Sequence, residues 1–262
     1  MTLLAERAIG ALQAEHELLA KLTQSLTHEQ LARPSCAGDW TVAQVLSHLG
    51  SGAEIMLAGL RRTLGATAPS GQDFNQKVWD RWNAMQPHEQ AAGFLALDAE
   101  LVAALQALDG QQLASMQFSA GSIPFPLAAS GFAGLRLNET ALHSWDVRAA
   151  FEPRAVLQSE AAQVLTELLA SDLGFMLGFI GKAGAVSEPA VVGVKDSGFG
   201  FVIDSAVSMT TSISGATATF TGPLEAVVRL FGGRLDSQHT PEGVTVTGNV
   251  TLDDLRAVFP GF

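Results

Sequence analysis

Residues 137–147 read Leu137-Asn138-Glu139-Thr140-Ala141-Leu142-His143-Ser144-Trp145-Asp146-Val147, and the rest of the chain is organised around this stretch. As a helix it sets Glu139 and His143 four residues apart, one turn above the other on one face, so a carboxylate and an imidazole reach a common point. That is a metal-ligand spacing, and also the spacing of an ordinary solvated surface couple. Asp146, three residues beyond His143, lies on the same ridge, where it can orient a ligand from behind. A third ligand must come from another helix. The best candidate is His48, in Trp40-Thr41-Val42-Ala43-Gln44-Val45-Leu46-Ser47-His48-Leu49. Together they make a His/Glu/His set that suits a zinc-like ion with one coordination position left open. Periodicity alone leaves His48 on a flank: Val42, Val45, Leu46, Leu49, Ala53, Met56, Leu57 and Leu60 form one stripe, with His48 about 120° from its centre. Gly52, one turn on, leaves room beside the imidazole.

Working outward, apolar residues at helical spacing predict a first helix over 2–26, a second over 41–64 capped by Asp39 or Thr41, and a third helical region over 75–108 that Pro87 restarts. Trp79 and Trp82 are expected inside the resulting bundle or at its mouth. Residues 110–135 carry no charge and hold Pro124 and Pro126, so they are not helical throughout and offer a pocket wall or a plain buried connection. A fourth helix over 131–151 then carries Glu139 and His143. Four long helices with short loops argue for a bundle, in which metal sites are built from facing helices.

After Pro153 the pattern changes. A helix over 156–180 is followed by short β-branched strands near 190–195, 199–204, 208–213 and 216–220, with turns at Gly198 and Gly215. Pro223 opens a helix closed by Gly232-Gly233, and a strand at 244–247 precedes a terminal helix over 252–258. The expected architecture is therefore an all-helical domain over 1–153 and a smaller, mainly antiparallel α+β domain over 154–262.

Composition narrows the partners. Charged residues make up 16% and hydrophobic ones 47%, which describes a globular chain and excludes a disordered one. A net charge of −11 argues against nucleic acid or an anionic membrane. Charge appears at once in Glu6 and Arg7, so no secretory signal is visible, and the most apolar run, 173–181, falls short of the roughly 20 residues a membrane span needs. The single cysteine, Cys36, fits a reducing cytoplasm; it is a candidate nucleophile, a candidate fourth ligand or a plain semi-buried residue. With no tyrosine in the chain, acid-base work falls to His, Glu, Asp, Lys or a metal-bound water or thiol. A monomer or homodimer is expected.

Pro34-Ser35, Gly38-Asp39-Trp40-Thr41 and Val45-Leu46-Ser47-His48-Leu49, together with Glu139 through Val147, resemble the mycothiol-dependent maleylpyruvate isomerase family, whose N-terminal domain is a DinB-like four-helix bundle. Thr221-Gly222-Pro223-Leu224 and Val228-Arg229-Leu230-Phe231-Gly232-Gly233-Arg234 resemble that family's sterol-carrier-like second domain. The resemblance implies a divalent metal, usually zinc, held by His48, Glu139 and His143, with mycothiol as thiol cosubstrate. In the family's isomerase the thiol is activated at such a metal, adds to a cis double bond, permits rotation and is expelled. A metal lowers a thiol's pKa, so the chemistry fits either an isomerase or a thiol S-transferase. Arg234 and Asp146 are the candidate catalytic residues, Arg234 as a bidentate clamp for a substrate carboxylate or, alternatively, an arginine satisfying helix-end carbonyls. Two departures remove cations that the isomerases tend to carry: Val42 follows the Trp-Thr pair, and Asn138 precedes the signature Glu. They favour a bulkier or less charged electrophile than a small dicarboxylate.

Two alternatives stand beside this. A metal-dependent hydrolase would use Asp146 as base, although such enzymes usually place both histidines on one helix around a general-base Glu, an arrangement missing here. A non-catalytic protein binding an apolar ligand would carry a structural metal with four protein ligands.

Overall fold

The computed structural model describes residues 2–120 and 123–261. The chain divides into two compact units, Met1–Ala155 and Val156–Phe262. In the first, α1 (Thr2–Thr23) and α2 (His28–Leu31) precede α3 (Val42–Thr63), α4 (Gln72–Asn83), α5 (Pro87–Gln106), α6 (Gly110–Ser115), β1 (Gln117–Phe118), β2 (Leu127–Ala128) and α7 (Ala129–Ala149). The long helices close a four-helix bundle in the cyclic order α1, α7, α3, α5. The expected uncharged connection becomes α6 and a short antiparallel hairpin, Phe118 pairing with Leu127; Gly121 and Ser122 within it lie outside the described residues.

Local chemistry fixes where these helices begin. Thr41 caps α3 through a capping box with Gln44, and α5 starts on Pro87 at its first turn, where a missing N–H costs nothing. The first helix ends at Thr23, earlier than its apolar spacing implies, because Thr27 opens a separate turn of helix with its own capping box to Gln30. Leu19, Val42, Val45, Leu46, Leu49, Phe94 and Val147 are buried together in one core cluster from α1, α3, α5 and α7. Each such side chain contributes about 1.5–3 kcal/mol on burial.

The two tryptophans of α4 part company. Trp82 is 1% exposed and donates its indole N–H to Glu54, whereas Trp79 is 43% exposed and does not pack inside. Glycine makes room for the buried one: a Cβ on Gly50 would come within 2.1 Å of the Trp82 ring, and one on Gly93 within 2.7 Å.

The second unit is α+β. Its expected single helix over 156–180 is broken into α8 (Ser159–Leu169) and α9 (Phe175–Ile180). The apolar period runs through the break, but the N–H of Leu173 reaches back to the carbonyl of Leu168 and turns the chain out of the helix. Strands β3 (Ala190–Val194), β4 (Gly200–Ile203), β5 (Val207–Thr210), β6 (Ala218–Thr221) and β7 (Thr245–Gly248) form one sheet in the order β5-β4-β3-β6-β7. Every pairing is antiparallel except β3 with β6, whose crossover makes the sheet mixed. Helix α10 (Leu224–Phe231) follows Pro223, and α11 (Leu252–Val258) ends the chain's regular structure. Phe201, Phe231 and Phe259 stack edge-on or tilted in its core, with centroids 5.0 to 5.9 Å apart. No helix among the described residues is long and apolar enough to cross a membrane.

Candidate metal centre

His48 comes from α3, and Glu139 and His143 from α7, yet one donor atom from each lies within 4.8 Å of the others. The Nε2 of His48 is 3.0 Å from Oε2 of Glu139, and the Nε2 of His143 is 3.8 Å from the same oxygen. Donors bound at about 2.0–2.2 Å around a tetrahedral ion stand roughly 3.4 Å apart, and the two distances to the Glu139 oxygen bracket that spacing. The side chains of His48 and Glu139 are 40% and 43% exposed, and that of His143 is 12% exposed, so the cluster is reachable from solvent.

Asp146 stands behind His143. Its carboxylate, fully buried, accepts from Nδ1 of His143 at 2.8 Å, which holds the ring with Nε2 facing Glu139. Burial raises the Glu139 carboxyl, but the His48 hydrogen bond and the charges of His143, His48 and Arg136 outweigh it and hold the pKa at about 2. At neutral pH the glutamate is an anion.

The loop before α3 sets a fourth side chain over the pair. Gly38 takes a left-handed φ of +58°, Pro34 bridges Thr41, and Ser35 bonds the carbonyl of Trp40 through both its N–H and its hydroxyl. The Cys36 N–H donates to the carbonyl of Asp146, tying this loop to α7. Trp40 is thereby held 5.1 Å from the ring of His48 and 6.1 Å, nearly parallel, from that of His143, while 40% of it stays exposed. Cys36 itself does not join the donor cluster among the described residues.

Arg234 belongs to the other unit, where its guanidinium donates to the carbonyl of Gly232 at the end of α10. The position therefore carries the helix-end contact that was one of its two expected roles.

One charged residue beside the cluster escaped the sequence reading. Arg136, three residues before Glu139, is 2% exposed and bonds Asp98 through Nε and Nη2 and the carbonyl of Leu49 through Nη2. The room left by Gly52 is taken by its Nη1, 3.2 Å from where a Cβ would stand. A cation is thus present near the site despite Val42 and Asn138. The available signal was an arginine lodged between Leu135 and Leu137 in an otherwise apolar run.

Residues 12–148 match the family model described as the mycothiol maleylpyruvate isomerase N-terminal domain. No curated relative matches the chain. Among solved structures, the crystal structure of the mycothiol-dependent maleylpyruvate isomerase superposes with a TM-score of 0.64 at 17% identity, covering 94% of each chain. A mutant of that isomerase superposes with a TM-score of 0.65 at 16% identity and the same coverage. At these identities the superpositions speak for the fold over both units. The match spans more than half of the chain and takes in His48, Glu139 and His143, and on that ground the protein belongs to the mycothiol-dependent maleylpyruvate isomerase family of enzymes.

Proposed function

We propose that this enzyme uses a low-molecular-weight thiol, mycothiol, at a divalent cation held by His48, Glu139 and His143, to attack an electrophilic small molecule as an isomerase or a thiol S-transferase. The observation that carries the reading is the convergence of two imidazole nitrogens and one ionised carboxylate within 4.8 Å, with His143 already oriented by Asp146. Three protein donors, rather than the four of a structural zinc, suit a site that leaves a position for an incoming ligand. When bound, the ion lowers the pKa of a coordinated thiol so that thiolate is present at neutral pH.

The chain's own residues do the rest. Glu139 supplies the negative charge of the donor set, and His48 and His143 present imidazole nitrogens from two sides. Asp146, sealed behind His143, acts through that imidazole as a positioning residue. It has no path to a substrate, which weighs against the hydrolase in which it would serve as base. The exposed indole of Trp40 offers an apolar wall over both histidines, in keeping with an electrophile bulkier or less charged than a small dicarboxylate. For Arg234, whose guanidinium spends an N–H on the Gly232 carbonyl, a part as carboxylate clamp rests on the family resemblance of the Gly232-Gly233-Arg234 stretch alone. A cytoplasmic location and zinc as the native ion complete the proposal.

The test is metal analysis of protein prepared without chelators, followed by thiol addition to the cobalt-substituted form. A stoichiometric divalent ion and a sulfur-to-cobalt absorption band are expected, both lost in Glu139→Ala. An ion-free protein whose activity survives His48→Ala and Glu139→Ala would overturn the reading. Product analysis then separates the two chemistries: a stable thioether marks transfer, and recovered thiol with altered double-bond geometry marks isomerisation.

A further inference from the structure

A second polar cluster lies inside the bundle, directly beneath the first. Arg136 on α7 faces Asp98 on α5, and the other oxygen of Asp98 accepts from Nδ1 of His16 on α1 at 2.6 Å. Asp98 and Arg136 are 0% and 2% exposed. The remaining bond of the guanidinium goes to α3, from Nη2 to the Leu49 carbonyl at 2.8 Å. His48 meets Glu139, and the next positions along α3, Leu49 and Gly52, meet the earlier position Arg136. The two helices therefore run in opposite directions here, and the Arg136 layer lies one turn below the donor layer.

Stability alone gives a poor reason for this arrangement. Desolvating two charges costs several kcal/mol per ion, and well-packed apolar residues of similar volume commonly stabilise as much or more. What apolar residues lack is direction. A guanidinium that bonds Asp98 and the Leu49 carbonyl together fixes α3 and α7 against α5 at one rotation and one height. The donors need that fixing, because His48 arrives from α3 while Glu139 and His143 arrive from α7, and a small slide would spread them. Gly52 belongs to the same device: at 3.2 Å a Cβ there would press on Nη1.

We propose that Arg136, braced by Asp98 and His16 and admitted by Gly52, is the positioning residue that sets the spacing of the His48/Glu139/His143 donors across α3 and α7. The inference rests on the proposed cation site. Its test replaces the buried pair as a unit, Asp98→Leu with Arg136→Met, in the full-length chain, so that neither of these two ions is left buried without the other.

Zinc and cobalt affinities are measured by chelator competition, the cobalt absorption spectrum is recorded, and thermal unfolding of the ion-free protein serves as the control. The expected result is a fold of near wild-type stability whose affinity falls about 10- to 100-fold, with an altered cobalt spectrum. A folded double variant with unchanged affinity and spectrum overturns the inference and leaves the cation site standing. A wild-type protein that binds neither ion overturns the site itself, and the inference with it. Should the double variant not fold, Arg136→Lys retains the buried charge but cannot bridge Asp98 and Leu49. It must weaken the ion by several-fold, and equal affinity there overturns the inference. Gly52→Ala should weaken it in the same direction by a smaller factor.

Discussion

Two polar clusters, stacked one turn apart along α7, use similar residues toward opposite ends. The inner one is sealed: Arg136 meets Asp98, Asp98 meets His16, and the charges cancel within the protein. The outer one is open and incomplete on its own terms. His48, Glu139 and His143 bring donor atoms to a shared space, and Glu139 supplies the carboxylate among them. Desolvation decides the difference: a buried ion must find its counter-ion in the chain, while a half-exposed anion can await one from solution. The inner cluster should therefore govern folding, and the outer one ligand affinity.

The sharpest way to break this contrast is to remove one partner from each. Asp98→Ala strands a buried guanidinium and should cost about 3–5 kcal/mol in urea unfolding. Glu139→Ala in ion-free protein should stay within about 0.5 kcal/mol of wild type, since it alters a half-exposed side chain. Equal losses would mean the clusters are not distinct in kind. Adding the cation reverses the ranking. Zinc at 100 times its Kd should stabilise the wild-type chain by about 2.7 kcal/mol, and Glu139→Ala by almost nothing. A thermal shift that survives Glu139→Ala would place the ion elsewhere.

Only the outer cluster was legible in the sequence, and the reason is geometric. Glu139 and His143 are neighbours through helical spacing alone, and Asp146 is within reach on the same ridge, so a local pattern names them. His48 needed the resemblance of its surroundings, because its own stripe leaves it on a flank. Arg136 was out of reach because what defines it is tertiary: Asp98 and Leu49 lie 38 and 87 residues away. Helix α7 is also buried along most of its length, which erases the polar face that would have marked a misplaced charge. The same limit explains Trp79 and Trp82: the composition asks for buried tryptophan, but only Gly50 and Gly93 across the bundle say which one enters. The α+β character of the second unit, by contrast, was plain from its β-branched strands and glycine turns. The break between α8 and α9 was missed because it interrupts the backbone without interrupting the apolar period.

Acid should separate the clusters less strongly. Burial pushes the Asp98 carboxyl up, but the Arg136 charge and the bonds from His16 and Arg136 overcome it and leave the pKa below its ordinary value of 3.8. Glu139 falls from 4.5 to about 2. A carboxylate held below its unfolded pKa contributes stability that is present above that value and lost as pH falls through the folded one. Ion-free protein should therefore hold its stability down to about pH 5 and lose it between there and pH 2. Solvent screening discounts the share of the half-exposed Glu139, so Asp98→Asn should flatten this slope more than Glu139→Gln. Chemical denaturation at a series of pH values reads both, and the reverse order would count against the sealed and open assignment.

The smallest effect on the fold belongs to Trp40, which touches the outer cluster alone. It is 40% exposed and held by backbone bonds of its loop, so Trp40→Ala should change stability by less than about 1 kcal/mol. It donates nothing to the cation site, and ion affinity should move by less than about threefold, since the indole only flanks the two imidazoles. What it supplies is apolar surface beside the space where an electrophile would meet the thiol. Losing a stacked aromatic contact is worth about 0.5–1.5 kcal/mol, a factor of roughly 2 to 12, and only for a substrate that makes the contact. Substrate competition should then show kcat/KM falling by that factor for aryl or branched electrophiles while a small dicarboxylate is left unchanged. A uniform loss across both classes would instead make Trp40 a support for the histidines, and the open cluster would then owe its geometry to its rim as well as to the sealed layer beneath.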